Sequence, residues 1–271
     1  MRTSEPAVPS LSGPLPGPLV ARLRAAGCVF AEDEARLLLA TAEGRSALAR
    51  MVERRVAGEP LEHVVGHAAF CGLRIALEPG VFVPRRRTEH LVRRALAGTR
   101  RADVVVDLCC GSGAVAAALA DALAPAELHA ADVDPAAVRC ARRNLAPYGG
   151  TVHEGDLFAP LPPALRGRIE LLTANVPYVP TGEVALLPPE ARLHEPRAAL
   201  DGGGDGLEVL RRVAAEAAGW LAPGGRLLVE TGERQSAAAV AVLAGAGLVP
   251  RVHRSEDPPA TVVTARRPPN R

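Results

Sequence analysis

The run Val104-Val105-Val106-Asp107-Leu108-Cys109-Cys110-Gly111-Ser112-Gly113, followed by an Ala-rich stretch, leaves few folds open to this chain. An apolar strand ends in an acid, a glycine turn follows, and a helix begins. Such a turn lets the backbone approach a ligand closely, and the helix N-terminus presents free N–H groups. The rest of the chain keeps the same rhythm. Val104–Leu108, Leu128–Asp132, Thr151–His153, Leu171–Val176 and Arg226–Glu230 are expected as strands, with helices over Ala114–Leu123, Pro135–Leu145, Gly206–Leu221 and Ser236–Ala244. Alternating strands and helices predict an α/β fold: a doubly wound, mostly parallel, Rossmann-like sheet with ligand sites at strand C-termini. Asp107, Asp132, Asp156 and Asn175 all fall at or just after such ends. Near the C-terminus the rhythm breaks. Val249–Arg254 and Ala260–Ala265 are separated only by a Pro-rich turn, which predicts a closing antiparallel hairpin.

Gly111-Ser112-Gly113-Ala114-Val115-Ala116 also fits the dinucleotide fingerprint with Ala as its last member. Asp132, at the end of the next strand, is placed to hold a ribose, with Val133 beside it. NAD and S-adenosylmethionine both satisfy these residues. Asp107 favours the second. A dinucleotide sets its pyrophosphate over the glycine loop, where a carboxylate repels it, whereas S-adenosylmethionine carries an ammonium and a sulfonium.

The apolar run Ile169–Ala174 leads into Asn175-Val176-Pro177-Tyr178. An Asn oxygen and a backbone carbonyl can accept both hydrogens of a planar NH₂ group, and an aromatic ring can cover its face. The bland alternative is a strand-ending turn, and the pattern gains weight from the glycine loop upstream.

With 271 residues, 48% of them hydrophobic, the chain can bury one large domain and a small one. The expected division is a disordered segment at 1–18, a small helical domain at 19–68, a β-hairpin linker at 69–84 and the large domain at 85–271. The hairpin is expected to pair 69–77 with 80–84 around Glu78-Pro79-Gly80. A formal net charge of +2 argues against an extended nucleic-acid surface. Five Cys without C-x-x-C spacing suggest a reducing, cytoplasmic setting, with Cys109 and Cys110 as small buried residues beside the cofactor loop. The seven His show no metal-ligand spacing, so no metal is expected. No run is long enough to span a membrane.

Taken in order, these residues resemble the class I S-adenosylmethionine-dependent methyltransferases. More narrowly, they resemble the protein N5-glutamine methyltransferases that act on peptide chain release factors. The resemblance runs from Gly58-Glu59-Pro60-Leu61 through Phe70-Cys71-Gly72-Leu73 and Pro79–Arg85 to the glycine loop, Gly155-Asp156-Leu157-Phe158 and the Asn-x-Pro-Tyr turn. Glu195-Pro196, Gly202–Leu207, Leu221–Gly225 and Glu230-Thr231-Gly232 with Gln235 complete it. It implies that Asp107, Cys109, Gly111 and Gly113 line the methionine end of the cofactor, that Asp132 and Val133 meet the ribose, and that Asp156 and Leu157 lie against the adenine. It implies further that Asn175 and the Val176 carbonyl hold the glutamine amide, with Pro177 and Tyr178 at the methyl-transfer centre. Pro84, Arg85, Thr88, Glu89 and Glu195 approach the same cavity from the substrate side. The implied product is S-adenosylhomocysteine, and the implied partner is a release factor bound by a monomer.

Two departures stand out. Val176 replaces a proline and gives up its fixed dihedral, and Cys109 replaces a glycine, so the loop backbone there is expected to be shaped differently. The same Asn-x-Pro-Tyr tool serves N6-adenine methyltransferases, which need a phosphate grip and base capture. A further alternative is a non-catalytic module that binds S-adenosylmethionine.

Overall fold

The computed structural model describes residues 16–99 and 101–269. Four helices form the front of the chain: α1 (Gly17–Ala25), α2 (Ala31–Thr41), α3 (Arg45–Val56) and α4 (Leu61–Val65). They close around Leu23, Ala35, Leu38, Val52 and Val64. Of the segment expected to be disordered, residues 1–15 lie outside the described residues. Gly17 and Pro18 already belong to α1, where a proline in the first turn gives up no hydrogen bond.

Arg55 of α3 is buried against Glu34 of α2 (Nε–Oε2 2.6 Å), each side chain 10% exposed. It also meets Glu190, from far along the chain, at 2.5 Å. Removing one member of a buried pair leaves a charge without compensation. Glu34→Ala is therefore expected to destabilise the protein by about 3 kcal/mol, the low end for such pairs because Glu190 remains. The check is the urea midpoint; a change below ~1 kcal/mol would mean that Arg55 re-pairs freely.

The hairpin differs from expectation. Its strands are β1 (His67–Phe70) and β2 (Leu73–Ala76), antiparallel, with the turn at Cys71-Gly72 and not at Glu78-Pro79-Gly80. Both turn residues have positive φ, 50° and 77°, the mirror-image turn whose twist suits a two-residue hairpin. Val81 and Val83, expected in the second strand, instead bury their side chains against Ala137 and Cys140.

Beyond the linker come α5 (Glu89–Ala97), β3 (Val104–Leu108), α6 (Ala114–Leu123), β4 (Glu127–Asp132), α7 (Pro135–Leu145), β5 (Thr151–Glu154) and β6 (Ile169–Ala174). The chain continues through α8 (Pro189–His194), α9 (Glu208–Trp220), β7 (Leu221–Thr231), α10 (Ser236–Gly245), β8 (Val249–Glu256) and β9 (Pro259–Arg266). The seven-stranded sheet has the order β5-β4-β3-β6-β7-β9-β8. Neighbours are parallel from β5 to β7 and antiparallel from β7 through β9 to β8. The closing hairpin is present as expected, with β9 inserted between β7 and β8.

Parallel strands covered on both faces read as continuous apolar runs, because both sets of alternating side chains are buried. Val104, Val106, Leu172, Leu227 and Val263 face Leu210, Val213, Trp220 and Leu243 of α9 and α10. Val105, Leu171, Leu228 and Val262 face Leu91, Val92 and Ala95 of α5 and the Ala-rich α6. Asp107 sits one position before the end of β3, in an otherwise apolar strand. The winding reverses between β3 and β6: β4 and β5 lie on one side, β7 on the other. A crevice must open there, at the carboxyl ends of the strands. Among the described residues no helix is long and apolar enough to cross a membrane.

Candidate active site

A cavity of about 490 Å³ opens at that reversal point. β3 and its turn supply Asp107, Cys109 and Gly111, and β4 supplies Asp132 and Val133. Asp156 and Leu157 follow β5, and Asn175, Val176, Pro177 and Tyr178 follow β6. Pro84 and Thr88 reach in from the linker.

Asp107 is 1% exposed. Its Oδ1 accepts a hydrogen bond from the Thr173 hydroxyl at 2.7 Å, while its Oδ2 is buried without a partner. Burial raises its pKa to about 7, against the stabilising Thr173 hydroxyl and Ala116 N–H. A cation beside Oδ2 would satisfy both the orphan oxygen and the charge. Asp132 accepts from the backbone N–H of Gly111 (2.8 Å) and of Asp134 (2.9 Å), so the carboxylate pins the glycine turn to β4. Each oxygen keeps acceptor capacity toward the cavity.

Cys109 has φ 52°, the left-handed conformation that glycine adopts freely. The loop backbone therefore takes the glycine-like shape with Cys in place, at a cost of about 1–2 kcal/mol. Burial pushes the thiols of Cys109 and Cys110 up, so neither is a thiolate at neutral pH. Both pack as small residues.

On the opposite wall, Asn175 Oδ1 is buried and has no partner. The turn that carries it is braced from outside. The Gly202 N–H donates to Val179 O (2.8 Å), and Gln235 Nε2 donates to Tyr178 O (2.9 Å). A Cβ at Gly202 would stand 2.6 Å from Pro177 O, and one at Gly206 2.3 Å from Tyr178 O. The glycine-rich segment thus lies directly against the turn and supplies stiffness that Val176 does not.

Several expected residues stand outside the cavity lining. Arg85 pairs with the buried Glu195 at 2.5 Å, and Glu195 also accepts from the Val83 N–H, tying the linker to the segment after α8. Burial raises the Glu195 pKa, with Arg85 opposing it. Glu89 accepts from the Cys71 N–H, bracing the β1–β2 turn. Gly113 lies behind the loop: a Cβ there would approach Ala141 Cα at 3.2 Å, so its smallness serves the contact of α6 with α7. Asp156 does line the cavity, but its side chain is 52% exposed and paired with Arg212.

Glu230 and Arg87 are among the lining residues that the sequence did not single out as site residues. Glu230, 3% exposed, accepts from the Tyr178 hydroxyl at 2.9 Å and from Arg87 Nε at 3.0 Å. The Arg87 guanidinium also sits 5.8 Å from the Tyr178 ring centre. Burial, then Glu230, raises the Tyr178 pKa, so the hydroxyl stays protonated. Glu230 lies one position before the end of β7, as Asp107 does in β3, and that position was readable; nothing in Arg85-Arg86-Arg87 tells which Arg turns inward. Glu230→Ala is expected to free Tyr178 and lower turnover about 10–100-fold. Glu230→Gln, which keeps an acceptor for the hydroxyl, should retain most of it. Equal losses in the two variants would show that Tyr178 positioning is not what Glu230 contributes.

Among the described residues no cluster of three or more His, Cys, Asp or Glu could hold a metal ion. The arrangement is instead an acidic half that suits a cationic nucleoside, facing an acceptor half that suits an NH₂ group.

Comparison with known proteins places the chain among methyltransferases. The methyltransferase small domain family matches residues 72–209. A release factor glutamine methyltransferase from Geobacter sulfurreducens is 41% identical over 196 residues, covering 72% of this chain and 68% of the relative. A 4-amino-L-phenylalanine/4-methylamino-L-phenylalanine methyltransferase from Streptomyces pristinaespiralis is also 41% identical, over 72% of this chain and 69% of its own. A methyltransferase from Pyrococcus furiosus has the same fold at TM-score 0.56 and 16% identity, over 81% of this chain and 99% of its own.

Proposed function

This chain belongs to the release factor glutamine methyltransferase family, and from that premise we propose that it methylates the side-chain amide nitrogen of a glutamine in a peptide chain release factor. The observation that carries the site assignment is the pair of buried, unpartnered oxygens in one cavity, Asn175 Oδ1 and Asp107 Oδ2. One lacks a hydrogen-bond donor and the other a cation. S-adenosylmethionine fits the acidic half: Asp107 would meet its ammonium, Asp132 its ribose hydroxyls, and Leu157 its adenine. When bound it supplies an electrophilic methyl group.

The chain's own residues do the rest. A carboxamide nitrogen is a poor nucleophile because its lone pair is delocalised, so alignment matters most. Asn175 Oδ1 accepts one amide hydrogen, the Val176 carbonyl accepts the other, and the Tyr178 ring covers the amide face. As the nitrogen becomes more positive, both acceptors hold its hydrogens more tightly, which stabilises the transition state more than the ground state. The alkylated nitrogen is acidic and gives up one of its two hydrogens as a proton to solvent, without a dedicated base.

The test is mass spectrometry of purified release factor incubated with the protein and S-adenosylmethionine. One added methyl on the glutamine of its Gly-Gly-Gln loop is expected. A second substrate class has a specific observation behind it, the Streptomyces relative matched at equal identity. An aromatic amine presents the same planar NH₂ group. Methylation of 4-amino-L-phenylalanine without methylation of the release factor would replace the glutamine with that acceptor.

A further inference from the structure

Away from the active site, the described residues hold a second cavity of about 400 Å³, where α5 leaves part of β8 and β9 uncovered. Four arginines line it, Arg94, Arg226, Arg251 and Arg266, together with His253, and among the described residues no Asp or Glu does. The sheet register explains this gathering. Arg226 of β7 lies directly opposite Arg266 of β9, and on the other side of β9, Arg251 lies opposite Thr264. With the period-two alternation of strands, these side chains share one face, the face on which α5 packs and to which it adds Arg94. Like charges directly opposite in an antiparallel pair are destabilising. The row is therefore held against its own repulsion.

Three arginines of the linker and front helices do have carboxylate partners: Arg55 has Glu34, Arg85 has Glu195 and Arg87 has Glu230. Among the described residues, Arg94, Arg226, Arg251 and Arg266 have none, in a chain with 30 acidic residues and a net charge of only +2. Arg226 is partly committed. It donates to Ala95 O (2.6 Å) and to the Thr99 hydroxyl, which caps the negative end of α5. Gly98 makes room for it, since a Cβ there would stand 2.0 Å from Nη1. Arg94 Nε is buried without a partner, and so is Nε2 of His90, one turn earlier on α5 and 8% exposed. Burial, then Arg94 and Arg266, lowers the Arg226 pKa, which marks its neighbourhood among the described residues as cationic.

The geometry points to a second binding site in this cavity for a phosphate group, either free or carried on a nucleotide. Guanidinium forks match phosphate oxygens in geometry and charge, and an oxyanion would relieve the repulsion within the row. The site is independent of the methyl-transfer reading, because its walls share no residue with the first cavity.

Thermal unfolding of the full chain, with ionic strength held constant by chloride, tests it with inorganic phosphate and with uridine diphosphate as probes. A ligand that binds only the folded state raises the midpoint in proportion to ln(1 + [L]/Kd). At least one probe is expected to do so, with Kd raised more than fivefold in Arg94→Gln/Arg251→Gln. Arg251→Gln alone is exposed on the edge strand, carries little risk to folding, and should weaken binding in the same direction. Saturation by inorganic phosphate assigns the free anion; binding of uridine diphosphate alone assigns a nucleotide. No shift with either probe, or equal shifts in wild type and both variants, would overturn the proposal.

Discussion

Asn175→Ala is expected to lower turnover of the glutamine substrate by about 10²–10³-fold, the cost of losing one preorganised group aimed at developing charge. Affinity for S-adenosylmethionine should stay within about twofold, because the lost interaction is made with the acceptor amide. The same change should not destabilise the fold. Asn175 Oδ1 is buried without a partner, so truncation removes an unsatisfied polar atom and breaks no hydrogen bond of that oxygen. Single-turnover methylation by mass spectrometry and a urea melt give the two readouts. Unchanged turnover would remove Asn175 from the mechanism; a large loss of stability would make its role structural.

The second large effect lies across the cavity. The Asp107 carboxyl has its pKa raised from 3.8 to about 7 by burial. The native state therefore holds a proton that the unfolded chain releases, so stability falls as pH rises from about 4 to above 7. A bound cation reverses the preference by favouring the carboxylate. Affinity for S-adenosylmethionine in the wild type should thus weaken about tenfold between pH 8 and pH 6. Asp107→Asn cannot ionise. It should bind the cofactor roughly 30–1000-fold more weakly, from the ~2–4 kcal/mol typical of losing one partner of a buried charge pair. Its affinity should vary little with pH across that range, and its stability without ligand at pH 8 should exceed that of the wild type. Calorimetry at the two pH values decides. A wild-type affinity equal at pH 6 and pH 8 would separate Asp107 from the cofactor's charge.

The sheet was legible because its physics is local. Buried parallel strands read as largely apolar runs, and Val104–Leu108 and Ile169–Ala174 are such runs, broken only by Asp107, by Glu170 and by Thr173. Polar residues at their ends marked Asp107, Asp132 and Asn175. The hairpin turn was not legible, since Glu78-Pro79-Gly80 has ordinary turn composition while Cys71 adopts a positive φ that its residue type disfavours. Cys109 is the same case in the cofactor loop, a glycine-like shape without glycine. Long-range partners were hidden for a different reason. No local pattern says that Glu230 meets Tyr178, that Glu195 meets Arg85, or that Gln235 reaches the backbone of the Tyr178 turn. Those pairings come from the order in which strands lie side by side, which is a property of the whole fold.

That order has a consequence for how such a protein can change over generations. β3, β4 and β5 wind away to one side with their turns, and β6 and β7 to the other. The wall proposed for the cationic methyl donor is thus written in one continuous stretch of chain, about 104–157, and the proposed acceptor wall mostly in a later one, about 169–235. Substitutions, or recombination with a cousin, can remodel the acceptor wall while the methyl-donor wall is inherited intact. A lineage built this way can acquire a new acceptor without ever passing through an ancestor that had lost its donor.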